Sequence, residues 1–126
     1  GATTPSTVAG TTVYATTEIG YAAAAQTAVT QLTSKSTGVT ANTSAGQITM
    51  NNASLAAATN VTFTLTNNTL SAKDVLILNV TNGTSGAYNA FVSSMAAGSA
   101  TITLRNISGG SLSEAVIINF AIIHGQ

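Results

Sequence analysis

The sequence alternates with a period of two, and no stretch of useful length carries the apolar stripe of an amphipathic helix. Val61, Phe63 and Leu65 are separated by Thr62, Thr64 and Thr66, and Ile102 and Leu104 lie among Thr101, Thr103 and Arg105. Such runs put apolar side chains on one face of a pleated strand and hydroxyls on the other. Residues 87–92 also read as strand, and 28–32, 39–41 and 47–50 read as shorter ones. Clusters of Gly, Asn and Ser at 34–38, 42–46, 67–68, 82–86, 96–98 and 108–113 supply turns between them. One helical turn is expected at 52–58, capped by Asn52. Short strands at this spacing predict an all-β fold with at least seven strands: a single antiparallel β-sandwich or a jelly-roll-like barrel.

The first 26 residues break the pattern. They hold the single proline and an alanine run at 22–25, with few large apolar side chains. Val8, Val13, Tyr14, Ile19 and Tyr21 are spaced too irregularly for a core element. The expected organisation is an extended arm over 1–26 that docks on a partner, followed by a β-sandwich domain over 27–126. The opening residues show no basic stretch followed by an apolar one, so no signal peptide is expected.

Two strands depart from alternation in the other direction. VLILNV at 75–80 and AVIINFAII at 115–123 are apolar on both faces. One face fills the sandwich. The other must also leave water, because exposed apolar surface costs about 25 cal/mol per Å². Val75, Ile77, Ile117 and Ile123 are therefore the expected subunit interface, in a closed assembly such as a homotrimer. Asn79 and Asn119 interrupt these strands and need hydrogen-bond partners wherever they are buried.

Charge is scarce. Only 5% of residues are charged, with three cations, three carboxylates and net charge zero, against about 25% in ordinary globular proteins. Lys35, Lys73 and Arg105 make no phosphate-binding patch, so neither nucleic acid nor a membrane surface is an expected partner. Polarity comes from 23 Thr, 13 Ser and 11 Asn. A neutral surface of this kind suits a protein held in a fixed assembly better than a freely diffusing monomer.

The same scarcity leaves little for chemistry. The chain has no cysteine, hence neither disulfide nor thiolate metal site. His124 with Asp74 and a serine is the only conceivable triad, but no G-x-S-x-G elbow is present and His124 reads as a solvated residue. Glu18, Asp74 and Glu114 show no spacing that brings two carboxylates together. No catalytic residue, metal site or cofactor is expected.

Two strings carry a family resemblance: GYAAAAQTAVTQLTSKSTGVTANTSAGQITMNNASLAA at 20–57 and ATITLRNISGGSLSEAVIINFAII at 100–123. The TSKSTG stretch at 33–38 and the GSLSEA stretch at 110–115 are their most specific parts. Together they resemble a family of small β-domains encoded by tailed phages and found in virion structural proteins. The resemblance implies a virion location and no catalysis. The expected function is a capsid cement or decoration protein on the capsid surface, with the major capsid protein and copies of itself as partners. The alternative is a head- or tail-fibre domain that binds a host glycan, disfavoured by the absence of Trp and by the scattered Tyr14, Tyr21 and Tyr88. A bacterial adhesin or surface-layer segment is a third, weaker option.

Overall fold

The structure, a computed structural model, describes residues 7–125; the opening residues 1–6 of the expected arm lie outside the described residues. Eight strands follow one 3-10 turn at Ala23–Ala25: β1 Gln26–Thr30, β2 Val39–Thr40, β3 Ala45–Thr49, β4 Thr59–Thr66, β5 Val75–Asn82, β6 Tyr88–Ala96, β7 Ser99–Asn106 and β8 Ile117–Ile123. They form two four-stranded sheets, ordered β1-β3-β8-β5 and β2-β4-β7-β6. The sheets pack face to face as an open sandwich rather than a closed barrel.

The sheets are mixed. β1 pairs with β3, and β2 with β4, in parallel; the other four pairings are antiparallel. The physical reason lies in the connections. From β1 to β6 the chain crosses to the opposite sheet at each step. Two reversals separate β1 from β3, so these next-but-one neighbours run the same way. A hairpin between consecutive strands forms at β6 and β7. They join through Ala97-Gly98, where Gly98 adopts φ +80°, a conformation glycine takes without Cβ strain.

The core lies between the sheets. Ile48, Leu76, Ile118, Phe120 and Ile122 from the first sheet meet Phe63, Leu65, Ile102 and Leu104 from the second, and all are buried. Gly46 is part of this packing. A Cβ there would lie 2.5 Å from the Thr27 carbonyl and 2.8 Å from the Phe120 ring, so the ring occupies the space that a side chain would take.

The helical turn expected at 52–58 is absent. That segment is irregular, with a turn at Ala57-Ala58, and Leu55 pairs with Leu112 through reciprocal backbone bonds of 2.8 and 3.0 Å. Asn51, not Asn52, organises its start by accepting a 2.9 Å bond from the Ala53 amide. Tertiary pairing with the 108–113 loop outweighs the weak local preference for a turn of helix.

Candidate functional site

Three places hold unusual polar or apolar chemistry: one end of the sandwich, a serine–histidine–aspartate array, and the outer face of the first sheet.

The end of the sandwich is built from the strings that carry the family resemblance. Gln31 and Lys35 are buried. The Lys35 Nζ donates to the backbone carbonyl of Glu114 at 2.6 Å and to that of Asn51. Gln31 donates to the carbonyls of Lys35 and Thr37, each at 2.9 Å, and accepts from the Asn51 amide. Burial pushes the Lys35 ammonium below its ordinary pKa, and the nearby Glu114 charge partly opposes the shift. Asn106, fully buried, donates to the Leu55 and Gly110 carbonyls and accepts from the Ser108 amide and hydroxyl. These polar groups are spent on loop carbonyls and amides, so the strings specify the fold of this end.

The Glu114 side chain bonds to neutral groups. Its carboxylate accepts from the Tyr88 hydroxyl at 2.8 Å and from the Thr84 amide at 3.1 Å. Those bonds hold it below the usual carboxylate range. Burial, reinforced by the same carboxylate, pushes the Tyr88 hydroxyl up to about 12. Arg105 instead donates to the Asn60 amide oxygen at 2.9 Å.

His124 is likewise not a simply solvated residue. Its Nδ1 stands 3.1 Å from Asp74 Oδ2 and its Nε2 stands 3.0 Å from Ser44 Oγ. These separations match those of a hydrolase triad. Asp74 also accepts from the Ser71 amide, the Ser71 hydroxyl and the Gly125 amide. Those donors, the Ser71 amide foremost, hold its carboxyl well below the ordinary range. The array joins the bend before β3, the 71–74 turn and the segment after β8. Ser44, His124 and Asp74 line none of four surface concavities found among the described residues. The sequence offers His124 with Asp74 as a conceivable pair but carries no signal for Ser44, which lies 80 positions from His124.

The outer face of the first sheet holds the residues expected at a subunit interface. Val75 pairs with Ile123, and Ile77 with Ala121, so their side chains share one strip. Val75, Ile77 and Ile123 are 47–58% exposed, and Ile117 is half-buried between Thr49 and Asn82. Asn79 and Asn119, cross-strand neighbours, face outward beside this strip, and Gln47 donates to Asn119 Oδ1 at 3.0 Å. A groove of about 600 Å³ runs along the same face, lined by Tyr21, Gln26, Ala28, Gln47, Asn119 and Ala121 among others. β5 is also a sheet edge, with one side unpaired.

The arm residues lie apart from any core. Val8, Val13, Tyr14 and Ile19 are 63–89% exposed, while Tyr21 is anchored by its hydroxyl to the Ile122 carbonyl. Gln26 donates to the Tyr21 carbonyl at 2.9 Å and fixes the root of the arm. Comparisons with family models, curated proteins and solved structures find no match to this chain.

Proposed function

We propose that this chain is a structural subunit of a tailed-phage virion: a decoration, or cement, protein that bridges capsid subunits and works by assembly without catalysis. The observation that carries this reading is the exposed apolar strip of Val75, Ile77 and Ile123 on a domain with almost no charge. Large exposed apolar patches on neutral domains mark contact surfaces. The arm offers a second set of unburied apolar side chains, suited to running over the major capsid protein or a neighbouring copy. Closed three-fold symmetry would cover the strip and fit the joints of a capsid lattice. The test is a low-resolution map of particles carrying labelled copies. Density on the capsid surface at subunit joints is expected; density confined to fibres or tail would overturn the cement role.

The groove favours a second reading, a fibre domain that binds a neutral glycan. Gln26, Gln47 and Asn119 offer amides beside the Tyr21 ring, the kind of polar set that orients a sugar. Glycan-array binding that is lost in Gln47→Ala would support it over the cement role. Under either reading Ser44, His124 and Asp74 form a structural staple. Purified protein should not turn over simple esters, and hydrolysis abolished by both Ser44→Ala and His124→Ala would refute the absence of catalysis.

A further inference from the structure

We propose that the arm of one copy lies across the outer face of the first sheet of a second copy, with Glu18 of the arm against Lys73 of that second copy. The inference rests on the self-association proposed above and names the segment that covers the strip.

Three observations lead to it. The first is that two apolar sets lack cover in the single chain, the arm residues Val13, Tyr14 and Ile19 and the strip of Val75, Ile77 and Ile123. The second is placement. Tyr21 is bonded to the Ile122 carbonyl, so the arm leaves its own domain next to Ile123, at the margin of the strip. Residues 7–20, if extended, reach about 45 Å. A domain of 100 residues is about 35 Å across. The arm is therefore long enough to cross a neighbour, whereas on its own domain Ile19 remains 87% exposed.

The third observation is charge. Asp74 and Glu114 are occupied by bonds within the chain, Lys35 is buried, and Arg105 is turned to Asn60 on the second sheet. Glu18 and Lys73 are left, both exposed and with no ion-pair partner among the described residues. They are opposite in sign. Glu18 adjoins Ile19 on the arm, and Lys73 stands two residues before Val75 on the strip. Docking the arm on a second copy pairs the two free charges while it covers the two apolar sets.

The absence of cysteine makes the test clean. Full-length protein carrying Ile19→Cys is mixed with protein carrying Val75→Cys and oxidised, so any mixed disulfide must join two copies. A mixed dimer is expected, and none when Thr64→Cys, on the second sheet, replaces Val75→Cys. Glu18→Lys or Lys73→Glu alone should weaken association by about fivefold, and the two together should restore it. Equal cross-linking at Thr64, or no response to either charge reversal, overturns arm exchange. Oligomers by light scattering with no mixed disulfide would do the same yet leave the face itself as an interface. A stable monomer at micromolar concentration would remove the self-association on which both rest.

Discussion

On the outside of the second sheet, Thr62, Thr64 and Thr66 stand on β4 beside Thr101 and Thr103 of β7. On the outside of the first, Val75 and Ile77 of β5 stand beside Ile123 of β8. The second sheet's outer face is mainly hydroxyl, with Phe91 of β6 exposed among the hydroxyls, and the first sheet's is mainly apolar beside Asn79 and Asn119. On the threonine face the hydroxyls bond one another across strands: Thr62 with Thr103 and Ser94 with Thr101, each at 2.7 Å, and Ser93 with Thr103. Those hydroxyls satisfy one another within one chain, and Thr64 and Thr66 are exposed to water. The apolar face has no such internal completion. Under the proposed self-association, hydroxyls keep one side of the sandwich in water while apolar side chains on the other side make the contact.

The largest expected effect separates the two faces directly. Ile77→Lys should dissociate the proposed oligomer into folded monomers, because docking would bury an ammonium with no partner. Thr64→Lys, on the threonine face, should leave the assembly intact. Light scattering with circular dichroism reads both association and fold. If Ile77→Lys stayed assembled, or Thr64→Lys fell apart, the roles of the faces would have to be exchanged or abandoned.

The faces stay in register only while the ends of the sandwich hold, which Lys35 tests. Lys35→Ala removes the donor for the Asn51 and Glu114 carbonyls and leaves a void behind the 33–38 loop. The expected loss is about 3 kcal/mol in denaturant unfolding. A loss of stability and association together is expected, since both faces would loosen. Unchanged stability would show that water replaces the ammonium at no cost.

Asp74 adds a pH dependence. Its folded pKa is held below the unfolded value of roughly 4. A depressed carboxyl stabilises the fold fully above the unfolded pKa, and this contribution is lost as pH falls towards the folded one. Stability should therefore fall on acidification below about pH 4. In Asp74→Asn the dependence should be shallower and the protein less stable at neutral pH. Parallel pH profiles for the two proteins would show that the bonds Asp74 accepts, the Ser71 amide's foremost, contribute nothing in solution.

Much of this fold can be read from the sequence because strand periodicity is local. The Thr–apolar alternation at 59–66 and 99–106 defines β4 and β7, and the two-sided strings at 75–80 and 115–123 announce that β5 and β8 have an uncovered face. The parallel pairings escaped the pattern. They depend on the sheet to which each connection delivers the next strand, which turn residues do not specify. The polar clusters escaped for a related reason. Lys35 meets Asn51 and Glu114, and His124 meets Ser44 and Asp74, across 16 to 80 positions. The sequence alone reads His124 as solvated and carries no mark for Lys35. Burial with several fixed partners changes that outcome, and only the folded arrangement supplies the partners.

The smallest expected effect probes the threonine face itself. Thr62 and Thr103 are directly opposed on β4 and β7, and their hydroxyls share one bond of 2.7 Å. Thr62 is exposed, so Thr62→Val loses one hydroxyl contact but keeps a β-branched side chain that suits a strand. The net change should lie within about 0.5 kcal/mol. Thr103 is buried and also bonds Ser93, so Thr103→Val should cost more, about 1 kcal/mol. The double variant should cost less than the sum of the singles, with a coupling of roughly 0.5–1 kcal/mol, because the second substitution removes a bond that is already broken. Additive values would mean that water serves each hydroxyl as well as its neighbour does. A variant that also changed the oligomer would show that the threonine face takes part in assembly, and the division between the two faces would no longer stand.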